Sequence, residues 1–482
     1  MTTEKKPCWI VYLSTFPPLE CGIASFAQNL IQGFDSLFSE FVVSKIIAIN
    51  PDSVSDFNYP SNVIFQVDKN NPKHFALAAK KINRMPQVKL IVIQHEFGLF
   101  GGVYGDNLKY FLKALKKPVV TILHTVLPRP PEKMKKVMAY ILKKSAVAVV
   151  MTPLSKKILE TDYWHKKENI QIIPHGIHQV EYGDSRKCKN SLGLKNKILI
   201  STFGLLGPGK GLEYVLRALP PVVKKFPQVR YLILGITHPE IVKREGEKYR
   251  NFLIKQINNL GLENYVSFYN KYFEYKELLN FLKATDIYIS SSLNPNQAVS
   301  GTLSYALGIG RPVISTAFAQ ARQDVTKEVG LLVGFKKPKQ YTQALLKLLS
   351  DDKLRGRLGI NAYFRTRHMT WRNVALSYMK IYSRIVPELA AKDRHLPNIK
   401  LTHLARLTDN IGIFQFAQLH TPNPAYGYTL DDNARALLAT AAYFNKIGKP
   451  NALKLAKKYL KFIETSLTDK GAFHNYFNCN KS

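Results

Sequence analysis

The chain has 482 residues, 46% of them apolar and 21% charged, the balance of an ordinary globular protein with about three folding units. This composition excludes a disordered, collagen-like or repetitive chain, and only four cysteines exclude a disulfide-built scaffold. Lysine and arginine number 69 against 34 acidic residues, and a formal charge of +35 implies an anionic partner: nucleic acid, a phospholipid surface or a phosphorylated ligand.

Cys8, Cys21, Cys188 and Cys479 follow no metal-ligand or redox spacing and read as reduced thiols of a cytoplasmic protein. No apolar run approaches the about 20 residues of a membrane span. The first seven residues, through Pro7, carry no apolar core of a signal peptide. The charge is uneven: Lys109 to Lys167 holds 14 basic and 3 acidic residues, whereas Met1 to Leu108 holds 9 of each.

Short β-branched runs alternate with amphipathic stretches. Strands are predicted at Ile10–Leu13, Phe41–Ile49, Val63–Val67, Leu90–Gln94, Val119–Leu123, Ala146–Met151 and Ile170–Ile173. Helices such as Ala24–Gly33 and Glu132–Lys144 lie between them. A second set of strands follows at Ile198–Phe203, Arg230–Gly235, Val266–Tyr269, Ile287–Ser290, Val313–Thr316 and Gly330–Val333. Apolar strands joined by helices read as parallel sheets, here two of about six strands each. The fold class is therefore α/β, with two Rossmann-like, doubly wound domains. The boundaries read as a first domain over 1–180, a polar linker over 181–195 and a second domain over 196–370. A helix over 371–390 and a helical tail over 400–482, with helices at Asp432–Lys446 and Asn451–Ser466, complete the chain.

Ligands of an open parallel sheet bind beyond the carboxyl ends of its strands, at helix N-termini. After the first strand, Gly22 and Ile23 open a helix and let N–H groups approach a phosphate. After the fourth, His95 and Glu96 stand at the mouth of the sheet before a glycine-rich loop, in an order that is not the spacing of a helical zinc site. After the fifth comes His124-Thr125. Gly204 to Gly211 follows a strand like a phosphate loop, but Gly211 occupies the place of a magnesium-binding hydroxyl, which excludes a Walker ATPase. Lys210 remains as a point charge for phosphate. The Ser290–Thr302 loop, with Asn296, Gln297, Ser300, Gly301 and Thr302, precedes the helix Leu303–Ile309 and suits an anion.

In this order the segments resemble the retaining GT-B glycosyltransferases of the family-4 type (glycosyltransferase group 1), over Pro7 to Val386, about four-fifths of the chain. Pro17–Ile23 resembles the glycine loop at the donor diphosphate, and Leu123-His124-Thr125 the strand-end histidine at the sugar. Ile173-Pro174-His175-Gly176-Ile177 resembles the interdomain P-N-G-V turn. Gly204 to Gly211 resembles G-R-x-x-x-x-K-G, and Leu303 to Thr316 the E-A-x-x-x-G-x-P-V stretch. Trp371–Ile385 resembles the helix that crosses back to the first domain. The departures are Leu205 at the family's arginine, and Gln297 and Tyr305 at its two glutamates. A branch of the family reads N-P-E-Q…S-G-T-L-x-Y-A-L-G, with Asn296 here at its glutamate.

The resemblance implies transfer of a hexose from a nucleotide-diphospho-sugar, GDP-mannose or a UDP-hexose, with retention and with no metal or other cofactor. The acceptor would be a glycan, a lipid-linked sugar or a small molecule. Lys210, Gly204, Gly22, Ile23, Ser300, Gly301 and Thr302 would hold the diphosphate, and Asn296, Gln297 and Tyr305 the rest of the donor. His124 would position the sugar, and His95 and Glu96 would face the acceptor. The alternative implied by the lost carboxylates is a glycosyltransferase-like nucleotide-sugar-binding protein with weak or lost turnover.

The basic helix Glu132–Lys144 carries an apolar face (Met134, Val137, Met138, Tyr140, Ile141, Leu142) and five lysines. It reads either as a surface helix packed on its own sheet or as a peripheral contact with anionic lipid at the inner face of a membrane. No helix-turn-helix, zinc-finger or aromatic RNA-binding signature supports a nucleic-acid partner. Leu407–Gln415 and Gly427–Ala436 resemble the opening of an (α/α) toroid, whose roughly 300 residues the tail does not supply alone, so the tail reads either as a truncation or as a part that a second chain would complete. Asp431, Asp432 and Arg435 read as helix-capping charges, with Asp431 at the helix start.

Overall fold

The computed structural model describes residues 7–51, 57–165, 169–183, 185–390 and 399–480. The reading of the first residues as leaderless, Asp184 of the linker, most of the boundary at 390–400 and the last two residues lie outside the described residues. The chain divides into two units, Met1–Ala391 and Lys392–Ser482.

The first unit is built on two parallel sheets. The first holds β1 (Cys8–Ser14), β2 (Val42–Asn50), β3 (Val63–Asp68), β4 (Val88–His95), β5 (Val119–Leu123), β6 (Val147–Val150) and β7 (Ile170–Ile172), in the order β3-β2-β1-β4-β5-β6-β7. The second holds β8 (Ile198–Phe203), β9 (Val229–Leu234), β10 (Val266–Tyr269), β11 (Ile287–Ser290), β12 (Val313–Thr316) and β13 (Gly330–Val333), in the order β10-β9-β8-β11-β12-β13. Both sheets are doubly wound, as expected. Their central strands read as unbroken apolar runs because helices cover both faces: Leu90, Ile91, Val92 and Ile93 of β4 are fully buried.

Helix Gly22–Phe38 buries Ala24, Ala27, Leu30, Ile31 and Phe34, a stripe at helical spacing, against β1 and β2. Helix Trp371–Ile385 joins the same core through Trp371, Val374, Ala375, Tyr378 and Tyr382, so a segment that follows the second sheet packs on the first. Trp371 N–H donates to Ile177 O at 2.9 Å and Ile177 N–H to Met369 O at 2.8 Å, tying the Pro174–His178 turn to that helix.

The polar stretch read as a linker needs correction. Arg186–Ser191 is a helix docked on helix Tyr275–Ala284. Lys189 Nζ lies 2.6 Å from Asp286 Oδ2, with both side chains nearly buried, and Asn280 donates to Ser191 Oγ at 3.1 Å. A tertiary ion pair, invisible in local periodicity, makes this segment part of the second domain.

In the second unit, helices Leu430–Ile447 and Pro450–Thr465 pack on each other around Ile413, Ala436 and Tyr459. Two short antiparallel pairs, Ala417–Gln418 with Thr421–Pro422 and Tyr428–Thr429 with Tyr476–Phe477, flank them. The cap is Thr429 rather than Asp431: its Oγ1 accepts the Asp432 N–H at 3.2 Å, while Asp431 pairs with Arg435 at 2.8 Å on the exposed surface.

Candidate functional site

Every motif loop of the first unit sits at a strand's carboxyl end. Gly204 follows β8 with φ +125°, a backbone conformation that favours glycine. A Cβ there would lie 3.2 Å from Thr302 Cγ2 and 3.6 Å from Lys210 Nζ, so these three residues converge. Lys210 closes the turn Pro208–Lys210, and its carbonyl accepts from Ser291 Oγ at 2.6 Å. Lys210, Gln297, Ser300 and Thr302 line one small cavity with Thr202 and Tyr288. Ser300 caps helix Gly301–Gly308, its Oγ accepting the Leu303 N–H at 3.3 Å. The helix thus begins two residues before its predicted start, and Gly301 and Thr302 form its first turn.

Burial lowers the Lys210 pKa, and no carboxylate among the described residues offsets it. A desolvated ammonium facing hydroxyls and a helix N-terminus is chemistry suited to an anion. Gln297 reaches the cavity but donates its amide to Val299 O at 3.1 Å. Asn296 is exposed and does not line it.

Tyr305 is elsewhere. Its ring stands against His175, His178 and Phe203, and its hydroxyl accepts from Asn29 Nδ2 of helix Gly22–Phe38 at 3.1 Å. Ser25 of the same helix and the Tyr272 hydroxyl are 2.8 Å apart. Two hydrogen bonds therefore join the first domain to the second across the cleft, close to Gly22 and Ile23 at that helix's start.

On the first sheet, His124 and Glu96 lie just past β5 and β4. His124 Nε2 meets Gln94 Oε1 at 2.8 Å, and its ring packs edge-on against Phe26 at 4.7 Å. Glu96 accepts from Thr125 Oγ1 at 2.5 Å and from its neighbour Phe97 N–H at 3.0 Å, and burial raises its pKa. His95 is a correction. It ends β4 pointing inward, is fully buried, and its ring stacks on Phe100 and meets Phe97 edge-on. It offers no surface to an acceptor.

Phe26, His175, Trp371, Thr202 and Tyr288 were not singled out as site residues. Strand pairing reveals the last two: β8 and β11 run side by side with Tyr288 opposite Ser201. Trp371 had a signal in the sequence, since Gly176 leaves room for it: a Cβ at Gly176 would fall 2.2 Å from the indole.

Burial drives the histidines' pKa values down, His95, His175 and His178 to about 4 and His124 to about 3, the last helped by neighbouring His175 and His95. The unfolded rings titrate near 6.5 and take up protons that the folded rings refuse. Stability from these groups is complete above about pH 6.5 and is lost as pH falls toward 4. Glu96 and Asp324, with carboxyl pKa values raised by burial, act in the opposite sense. The fully buried His95 and nearly buried His175 contribute about 1.4 kcal/mol per pH unit each over that window. Urea unfolding should therefore show a clearly lower midpoint at about pH 5 than at about pH 7, and equal midpoints would contradict these burials.

Residues 184–365 match the family model described as Glycosyl transferases group 1. The spore coat protein SA of Bacillus subtilis is 26% identical over 206 residues, covering 41% of this chain and 52% of that protein. The D-inositol 3-phosphate glycosyltransferase of Corynebacterium urealyticum is 25% identical over 276 residues, covering 55% and 64%. The crystal structure of Anabaena HepE in complex with UDP superposes with a TM-score of 0.61 at 17% identity, covering 78% of this chain and 99% of that one. The two-sheet first unit is therefore a GT-B fold. The chain spans about half the length of the curated relatives it matches.

Proposed function

We propose that the chain is a hexosyltransferase that moves a hexose from a nucleotide-diphospho-sugar to a glycan, lipid-linked or small-molecule acceptor, with retention. The observation that carries this reading is the desolvated Lys210 beside Gly204, Ser300 and Thr302 at the ends of β8 and β11. In the proposed reaction the bond from the sugar's anomeric carbon to the diphosphate breaks as the acceptor oxygen bonds on the same face. The leaving phosphate takes the acceptor's proton. Lys210 and the N–H groups of Ser300–Thr302 meet the charge developing on the diphosphate, fixed in place before reaction and without a metal. His124, neutral because its pKa is about 3, positions the sugar rather than acting as a base. HepE, a protein of the same fold, binds UDP, which supports a nucleotide at this site.

A thermal-shift screen of UDP-, GDP- and ADP-sugars, each followed for released nucleotide diphosphate, tests the proposal. A donor at about 100 times its Kd should stabilise the chain by about 2.7 kcal/mol and be turned over. No shift with any donor overturns it. A shift without release fits the second reading, a binding protein that has lost turnover. The specific observation favouring that reading is Tyr305, whose hydroxyl is already committed to Asn29.

Membrane contact is narrower than the amphipathic pattern implied. Helix Glu132–Lys144 buries Met134, Val137, Met138, Ile141 and Leu142 against its own sheet, so its apolar face is occupied. No described helix is long and apolar enough to cross a membrane. What remains for lipid is charge: exposed Lys133, Lys136, Lys143 and Lys144, and Trp164, 77% exposed with Lys135 Nζ 3.0 Å from its ring centroid. We place the protein in the cytoplasm, bound peripherally to anionic lipid through this surface. Binding to anionic vesicles should fall steeply with salt, and equal binding to neutral vesicles would count against the assignment.

A further inference from the structure

We infer that a cavity of about 390 Å³ between the two domains of the first unit is a subsite for the hydroxyl groups of a sugar; its role as the acceptor subsite rests on the transfer reading above. The cavity is bounded by Thr152 beyond β6, by the Pro174–His175 turn, and by Gln320, Gln323, Asp324, Arg365 and His368 of the second domain. It shares no lining residue with the cavity at Lys210.

Its chemistry selects the ligand. Asp324 Oδ2 accepts from Gln320 Nε2 at 2.9 Å, while Oδ1 has no hydrogen-bond partner among the described residues. Arg365 and His368 face that carboxyl closely enough to lower its pKa against the effect of burial. Neither makes a hydrogen bond among the described residues, and the Gln323 amide is exposed and unpaired there. A carboxylate acceptor, two cationic or polar donors and an amide converge on one space. The carboxylate disfavours a simple anion, and Arg365 disfavours a simple cation. Neighbouring hydroxyls of a neutral sugar satisfy all of them, since each hydroxyl both donates and accepts. Leu307 and Met369 supply apolar wall for a sugar's C–H face.

The cavity is wired to the donor site by one side chain. Gln320 Oε1 accepts the Ser300 N–H, and its Nε2 donates to Asp324 and to Ser304 Oγ. Ser300 Oγ lines the Lys210 cavity, so a sugar held on Asp324 lies one side chain from the diphosphate loop. This location also replaces the acceptor contact that buried His95 does not provide.

Saturation-transfer NMR with methyl α-glucoside, methyl α-mannoside and myo-inositol tests the inference on the full chain. At least one probe should receive saturation from the wild-type protein. Its affinity should fall about tenfold or more in Asp324→Asn and in Arg365→Ala, the latter a rim residue whose loss leaves the fold intact. Thermal unfolding and the UDP thermal shift are recorded alongside for each variant. No saturation of any probe, or undiminished binding by both variants, overturns the subsite. If UDP shifts the protein and no sugar binds, the subsite fails and the donor reading stands. If a sugar binds through Asp324 and UDP does not, the subsite stands and the transfer reading fails.

Discussion

Lys210→Ala lowers turnover of the nucleotide-sugar by about 100- to 1,000-fold, the effect of deleting one preorganised group from a charge-stabilising site. The argument runs from burial. The ammonium is desolvated with no carboxylate beside it among the described residues, so an arriving diphosphate offsets the cost of its charge. Charge on the leaving diphosphate grows through the reaction, and the interaction strengthens with it, so kcat falls along with kcat/KM. Lys210→Arg recovers little, because a planar fork replaces a compact point charge. Steady-state release of nucleotide diphosphate measures this. Wild-type-like kcat in the alanine variant would remove Lys210 from the mechanism.

Trp371→Ala destabilises the first unit by about 3–5 kcal/mol. The indole is 5% exposed and meets Phe26, His175 and His178. It also fills the space that Gly176 leaves, where an added Cβ would approach the ring to 2.2 Å. These partners come from helix Gly22–Phe38 and from the Pro174–His178 turn, so the cavity left by alanine opens at the joint between the two sheets and cannot close without moving both. The urea midpoint of the unit should fall with an unchanged or lower slope. A loss under about 1 kcal/mol would show that the joint is held by other contacts.

The fold was legible because buried parallel strands are written as short valine and isoleucine runs between polar breaks. Val119–Leu123, Ile198–Phe203 and Val313–Thr316 begin and end where those runs do. The meeting of Gly204, Lys210 and Thr302 was legible for a related reason: they follow strand ends, where strand order alone brings them together. The failures share a cause in tertiary packing. His95 follows the alternation of β4 one residue beyond the predicted strand end, which turns its ring inward. Tyr305 is caged by residues from three separate segments, and no local pattern encodes that meeting. Helix Arg186–Ser191 depends on a partner, Asp286, far along the chain. The second unit's cap is misplaced in the sequence reading, which puts Asp431 at the helix start: Thr429 Oγ1 accepts the Asp432 N–H at 3.2 Å, and the Asp432 carboxylate accepts from the Thr429 hydroxyl at 2.6 Å.

A crystal structure of the chain with UDP-glucose tests the central claim most directly. The expected result is a diphosphate within hydrogen-bond reach of Lys210 Nζ and the N–H groups of Ser300–Thr302, with the sugar directed toward His124. A nucleotide bound away from Lys210, or density for none at saturating concentration, would contradict the account.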